Sequence, residues 1–129
     1  MISMKLDHDC VRHLLLEIET NKKIGEPLTE YNFKDNVVFG KYDFETVIYA
    51  LLKLEEAKYV SVKFGWEDGH IYGYTINDIT WSGHEFLDNI RDNHTWKEVK
   101  KVANKTTSMS VTLLSKLAFN YLTQKFNLT

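Results

Sequence analysis

At Lys58 the spacing of apolar side chains changes from three and four residues to two, and that change fixes the fold class. Before it, Phe44, Val47, Ile48, Leu51, Leu52 and Leu54 recur at helical spacing behind Asp43, a residue able to cap a first turn. After it, Val60, Val62 and Phe64 alternate with polar residues, Gly65-Trp66-Glu67-Asp68-Gly69 reads as a turn, and Tyr72, Tyr74 and Ile76 alternate again. A helix ending near Ala57 and then a β-hairpin exclude both the all-helical and the all-β classes. The expected class is α+β.

Helices flank this unit. Asp7 or Asp9 can cap a first helix in which Cys10, Val11, Leu14, Leu15 and Ile18 recur, running to about Thr20. Residues 21 to 41 are too interrupted by Gly25 and Pro27 for a helix and read as loop with one short strand, Val37-Val38-Phe39. Thr80 can cap a third helix bearing Gly83, Phe86, Leu87 and Ile90 on one side. Thr95-Trp96-Lys97-Glu98 has the form of a capping box for a fourth, and Ser108 opens a fifth. That last helix is apolar on two faces, since Leu113 and Phe119 accompany Val111, Leu114, Leu117 and Leu122. It either completes the core or pairs with a second copy in a homodimer.

With 129 residues, 43% of them hydrophobic, and a single proline, the chain is expected to form one domain, 1–129, able to build a core without metal or disulfide. One cysteine, Cys10, forbids an intramolecular disulfide and points to a reducing compartment. No stretch approaches the roughly 18 apolar residues of a membrane span, so a cytoplasmic location and no membrane partner are expected.

Helix, helix, hairpin and helix in this order resemble a winged-helix domain. The hairpin is then the wing, helix 43 to 57 takes the recognition-helix position, residues 4–92 form the core, and 93–129 form a helical extension packed on it. A narrower resemblance lies in three stretches. They are Met4-Lys5-Leu6-Asp7-x-Asp9-x-x-Arg12-x-x-Leu15-x-x-Ile18-Glu19, Ile48-Tyr49-x-Leu51-x-x-Leu54-x-x-Ala57, and Thr80-Trp81-x-Gly83-His84-Glu85-Phe86-Leu87-Asp88-x-Ile90-Arg91-Asp92-x-x-x-Trp96. In these the chain resembles an uncharacterised domain-of-unknown-function family, numbered 2513, found in phages and prophages. Two positions depart from that pattern: Ala50 stands where a His commonly follows the tyrosine, and Lys58 where a Gly follows the alanine. The resemblance implies a fold and a phage context and transfers no catalytic residue.

Few constellations could carry chemistry. His84-Glu85-Phe86-Leu87-Asp88 is one residue from the zinc pattern H-E-x-x-H, but a carboxylate replaces the second His and no third ligand is identifiable. The plainer reading has His84 and Asp88 sharing a hydrogen bond, with Trp81 packed on a neighbouring segment. Asp7-His8-Asp9-Cys10 with His13 and Glu17 offers mixed ligands on the first helix, yet these residue types equally suit a buried thiol and an exposed helix pair. Ser82 and His84 point apart on one helix, and no phosphate loop is present. No cofactor, metal or catalytic activity is expected.

Charge divides the chain. Residues 1 to 90 hold 9 Lys/Arg against 16 Asp/Glu, and residues 91 to 129 hold 7 against 2. The helix at the recognition position carries Lys53 against Asp43, Glu45, Glu55 and Glu56, the wrong sign for phosphate. Lys97, Lys100, Lys101 and Lys105 on the fourth helix are either a strip for the DNA backbone or the electrostatic complement of the acidic half. Trp66, Trp81, His84 and Asp88 are the expected partner-binding residues. The expected role is that of a small phage or prophage regulatory or accessory protein acting by binding. Duplex DNA through the lysines and a protein partner are the competing alternatives.

Overall fold

Asp7 accepts a hydrogen bond from the amide of Cys10 at 2.9 Å and so caps helix α1, His8–Asn21. The computed structural model describes residues 6–29, 41–105 and 109–126. The stripe read from the sequence is the buried one: Cys10, Val11, Leu14, Leu15 and Ile18 turn inward. Asp43 caps α2, Phe44–Glu56, in the same way, accepting from the Thr46 amide at 2.8 Å, and α2 buries Val47, Ile48, Ala50, Leu51 and Leu54 against α1.

The end of α2 shows what the glycine-to-lysine departure does. The Lys58 amide donates to the Glu55 carbonyl and the Tyr59 amide to the Leu54 carbonyl, both at 2.9 Å, which is the paired closure that requires a left-handed residue at the position after the cap. Lys58 occupies it with φ 65. An L-residue with a Cβ is strained there and glycine is not. Lys58→Gly is therefore expected to raise stability by about 0.5–1 kcal/mol, the strain relieved outweighing the extra freedom glycine gives the unfolded chain. A higher urea midpoint at unchanged slope is the measurement; an unchanged or lower midpoint would refute it.

Two long antiparallel strands follow, β2, Val60–Glu67, and β3, His70–Ile79. The hairpin is tighter than the sequence suggests. Gly65-Trp66-Glu67 belong to the strand, and the turn is Asp68-Gly69 alone, with φ of 50 and 79. Two-residue turns with both central residues at positive φ match the twist of the flanking strands. Gly65 faces Gly73 across the ladder, and the Tyr72 ring covers the spot a Cβ at Gly65 would take. A third strand, with no period of its own in the sequence, is β1, Leu28–Thr29, antiparallel to β3 at Ile76 and Thr75, giving the order β1-β3-β2. The strand expected at Val37-Val38-Phe39 lies outside the described residues.

Three helices close the structure. Thr80 caps α3, Trp81–Ile90, as expected, accepting from the Gly83 amide at 3.0 Å. The fourth helix, α4, Asn93–Ala103, starts earlier than its expected capping box. Asp92 accepts from the Thr95 amide at 2.8 Å, and Thr95 is buried in the first turn. Asp92 is as good a cap as threonine and follows α3 after one residue, which lets Trp96, Val99 and Ala103 turn inward together. The fifth, α5, Val111–Lys125, is capped by Ser110, whose hydroxyl accepts from the Leu113 amide; Ser108 lies outside the described residues. Buried side chains of α4 and α5, among them Val99, Val111 and Leu114, join those of α1, α2 and the sheet in one continuous core. Among the described residues no helix is long and apolar enough to cross a membrane.

Candidate functional site

The stretch from Thr80 to Trp96 divides into residues that hold the fold and residues that do not. The Thr80 hydroxyl makes two bonds: besides capping α3 it donates to the Lys58 carbonyl at 2.6 Å. Gly83 lets α3 approach the Tyr59 carbonyl, for a Cβ there would lie 2.0 Å from its oxygen. Phe86, Leu87 and Ile90 are core residues. Arg91 forms a two-pronged pair with Glu19, one prong 2.6 Å long, and reaches Asp88 at 2.9 Å. These charge-assisted bonds hold the Glu19 carboxyl below and the Arg91 guanidinium above their ordinary ranges.

Trp81 and His84 are left over. Trp81 is 80% exposed and does not pack on a neighbouring segment as expected. The expected His84–Asp88 hydrogen bond is not formed either: Asp88 turns to Arg91, whose cation binds a carboxylate more strongly than a neutral imidazole does. His84 instead lines a cavity of about 260 Å³ with Glu19, Lys22, Lys23, Ile24 and the Asn77–Ile79 end of β3. Ile24, in the tight Lys23–Glu26 turn, is fully exposed. Three elements thus meet at an open cavity edged by an isoleucine that nothing covers, with an uncovered tryptophan one helical turn from its histidine. Trp66, the other aromatic expected to meet a partner, is 61% exposed near the hairpin tip. It pairs with Ile71 just after a register shift in the ladder at Gly65 and Trp66.

The four lysines do not form one strip. Lys100 donates to Asp9 at 2.6 Å, and the Trp96 indole donates to the other oxygen of the same carboxylate at 3.0 Å, so this lysine fastens α4 to α1. Burial alone would push the Asp9 carboxyl up; the two hydrogen bonds outweigh it and hold the group below the usual range. Lys101 pairs with Glu98 at 3.2 Å. Lys97 and Lys105 are exposed and have no acidic partner among the described residues.

A second joint, with no sign in the charge pattern, is made by Arg12. It is 8% exposed, donates through Nε to the Ile90 carbonyl at 2.8 Å, and through Nη2 to the Arg91 carbonyl and Asn93 Oδ1 at 2.6 and 2.8 Å. Its guanidinium also lies 5.8 Å from the Trp96 ring centre. One side chain of α1 thereby closes the C-terminus of α3 and the start of α4. The family resemblance contained Arg12, but its role appears only with the tertiary structure.

The mixed ligand cluster of α1 is dispersed. His8 donates to the Met109 carbonyl at 2.9 Å, His13 shares a hydrogen bond with the Tyr42 hydroxyl at 2.9 Å, and Glu17 accepts from Asn21 at 3.1 Å. Cys10 is fully buried, and burial, reinforced by Asp7 and Asp43, pushes its thiol up to about 12. Burial also lowers His13, with Lys41 next in effect. Among the described residues no three His, Cys, Asp or Glu side chains stand close enough to share an ion.

These features define a small α+β protein whose uncommitted residues are exposed aromatics and lysines. By its match over residues 5–110 the chain belongs to the family described as "Hypothetical protein (DUF2513)". It is similar to a protein of Haemophilus influenzae (strain Rd) described as "Uncharacterized protein", with 25% identity over 122 residues that cover 94% of this chain and 98% of the other. No solved structure matches the chain significantly.

Proposed function

We propose that this protein is a small, non-catalytic accessory protein of winged-helix type, in the phage or prophage setting its family resemblance implies. It acts by binding a protein partner through the surface around Trp81, His84 and Ile24. The order α1, α2, hairpin, α3, with the hairpin packed beside α2, supports the winged-helix part. The observation that carries the binding surface is Trp81. It is the single apolar side chain between Thr80 and Ile90 that the fold leaves in water, and it stands in the stretch that carries the family resemblance. A large exposed aromatic beside a cavity is the usual form of an interface anchor.

Duplex DNA is the second reading, favoured by Lys97 and Lys105. Against it, Lys100 and Lys101 already have carboxylate partners, and the outward residues of α2 include Glu45, Glu55 and Glu56. Two lysines release few counterions, so a duplex complex made through Lys97 and Lys105 should show a slope of log affinity against log salt no steeper than about −2.

The test compares wild type with Trp81→Ala. The variant should fold with stability within about 0.5 kcal/mol of wild type, because an exposed side chain is removed. A protein retained from the native cell by wild type should be lost at least about 30-fold with Trp81→Ala, as for a central interface aromatic. Retention independent of Trp81, together with salt-dependent binding of random duplex abolished by changing Lys97 and Lys105 to Gln, would replace this reading with the second.

A further inference from the structure

Another face of α3 borders a groove of about 410 Å³ shared with α5. One wall carries Glu85 on α3, the other Lys116 and Phe119 on α5, with Tyr59 and Phe86 among the remaining lining residues. Phe119 is 57% exposed, and Phe126, the residue that caps the C-terminus of α5, is 60% exposed. Glu85 and Lys116 are exposed, and neither has an ion partner among the described residues.

We propose that this groove is the contact surface for a second copy of the chain. In the pair, Phe119 of each copy enters the groove of the other, and Lys116 of each faces the second copy's Glu85. The choice of occupant rests on symmetry and charge. A two-fold contact joins a surface to itself, so any charge in it must be met by its opposite on the same surface. This groove carries one charge of each sign, Glu85 and Lys116, beside the exposed ring of Phe119. A nucleic acid, or a peptide of one sign, would meet a repelling wall whichever way it lay. The exposure of Phe119 on α5, beyond what the core needs, has the same explanation.

The surface differs from the one around Trp81. At 100° per residue, the Ser82, Glu85 and Asn89 side of α3 is turned by roughly 100° from the side bearing Trp81, His84 and Asp88, so pairing leaves the latter accessible. Failure of this proposal would leave the Trp81 reading untouched.

Sedimentation equilibrium of the full chain between about 1 and 200 μM tests it, since a contact at the small end of the interface range should associate at micromolar concentrations. Wild type should form reversible dimers. Phe119→Ser, Glu85→Lys and Lys116→Glu should each weaken association about tenfold or more, the last two by placing like charges opposite each other. The double change Glu85→Lys with Lys116→Glu should restore association to within about threefold of wild type, because the pair is then rebuilt with signs exchanged. All three positions of substitution are at the surface, so thermal melts of the variants should overlay that of wild type. A wild type that stays monomeric across the range, or a double variant no better than the singles, would overturn the proposal.

Discussion

Alanine at Gly83 lowers the stability of the chain by about 3 kcal/mol or more, with a fall in Tm of about 10 °C. Helix propensity alone argues the reverse, since alanine is worth about 1 kcal/mol over glycine inside a helix. The deciding quantity is the 2.0 Å that would separate the new Cβ from the Tyr59 carbonyl oxygen, with Ile79 Cγ2 at 2.8 Å on the other side. That carbonyl cannot retreat. It accepts from the Thr80 amide at 3.0 Å, and its residue is held by the bond from its own amide to Leu54. Ser82→Ala, one residue away and exposed, supplies the control: it changes propensity without contact and should be neutral or slightly stabilising. Equal urea midpoints for Gly83→Ala and wild type would mean that α3 can lift off the end of α2 at no cost, which the packing argument forbids.

Arg12→Met is expected to cost a similar amount, about 3 kcal/mol, although it replaces a buried charge with a side chain that suits a core. Three acceptors lose their donor at once: the Ile90 and Arg91 carbonyls and Asn93 Oδ1. They sit where α3 ends and α4 begins, so the helix–helix joint loses its polar closure as well as one ion. Burial is the main influence on the guanidinium and favours its neutral form, with Asp9 and Asp92 opposing. The site is therefore held by hydrogen-bond geometry as much as by charge. Arg12→Lys separates the two, because an ammonium keeps the charge but cannot span the three acceptors. It should recover less than half of the loss. Full recovery in Lys would show that only the charge mattered, and chemical denaturation of the three proteins distinguishes the cases.

Where local chemistry decides structure, the sequence was readable. Asp43 and Thr80 cap the helices assigned to them, and the switch of period at Lys58 marks the real boundary between α2 and the hairpin. Where a distant partner decides, it was not. Leu28–Thr29 has no period of its own and is a strand only because β3 offers it an edge. Thr95 has the credentials of a cap, but Asp92 takes that place by accepting from the Thr95 amide, and Thr95 is buried in the first turn. The site shows the same division. Trp81 was singled out from the sequence, but its exposure, the Ile24 neighbourhood of His84, and the diversion of Lys100 to Asp9 are relations between segments. They leave no mark on the local pattern.

The burial of Cys10 gives this chain a built-in clock. A thiol must shed its proton and meet the reagent before it can be alkylated, and here both steps are blocked while the core is closed. Modification then waits on opening, so its rate counts the molecules that have momentarily come apart. Since no other sulfhydryl competes for the label, a mass shift of one adduct per chain follows those excursions under fully native conditions, with no engineered probe and no denaturant. The same reaction, repeated on each variant above, ranks them by how often they breathe.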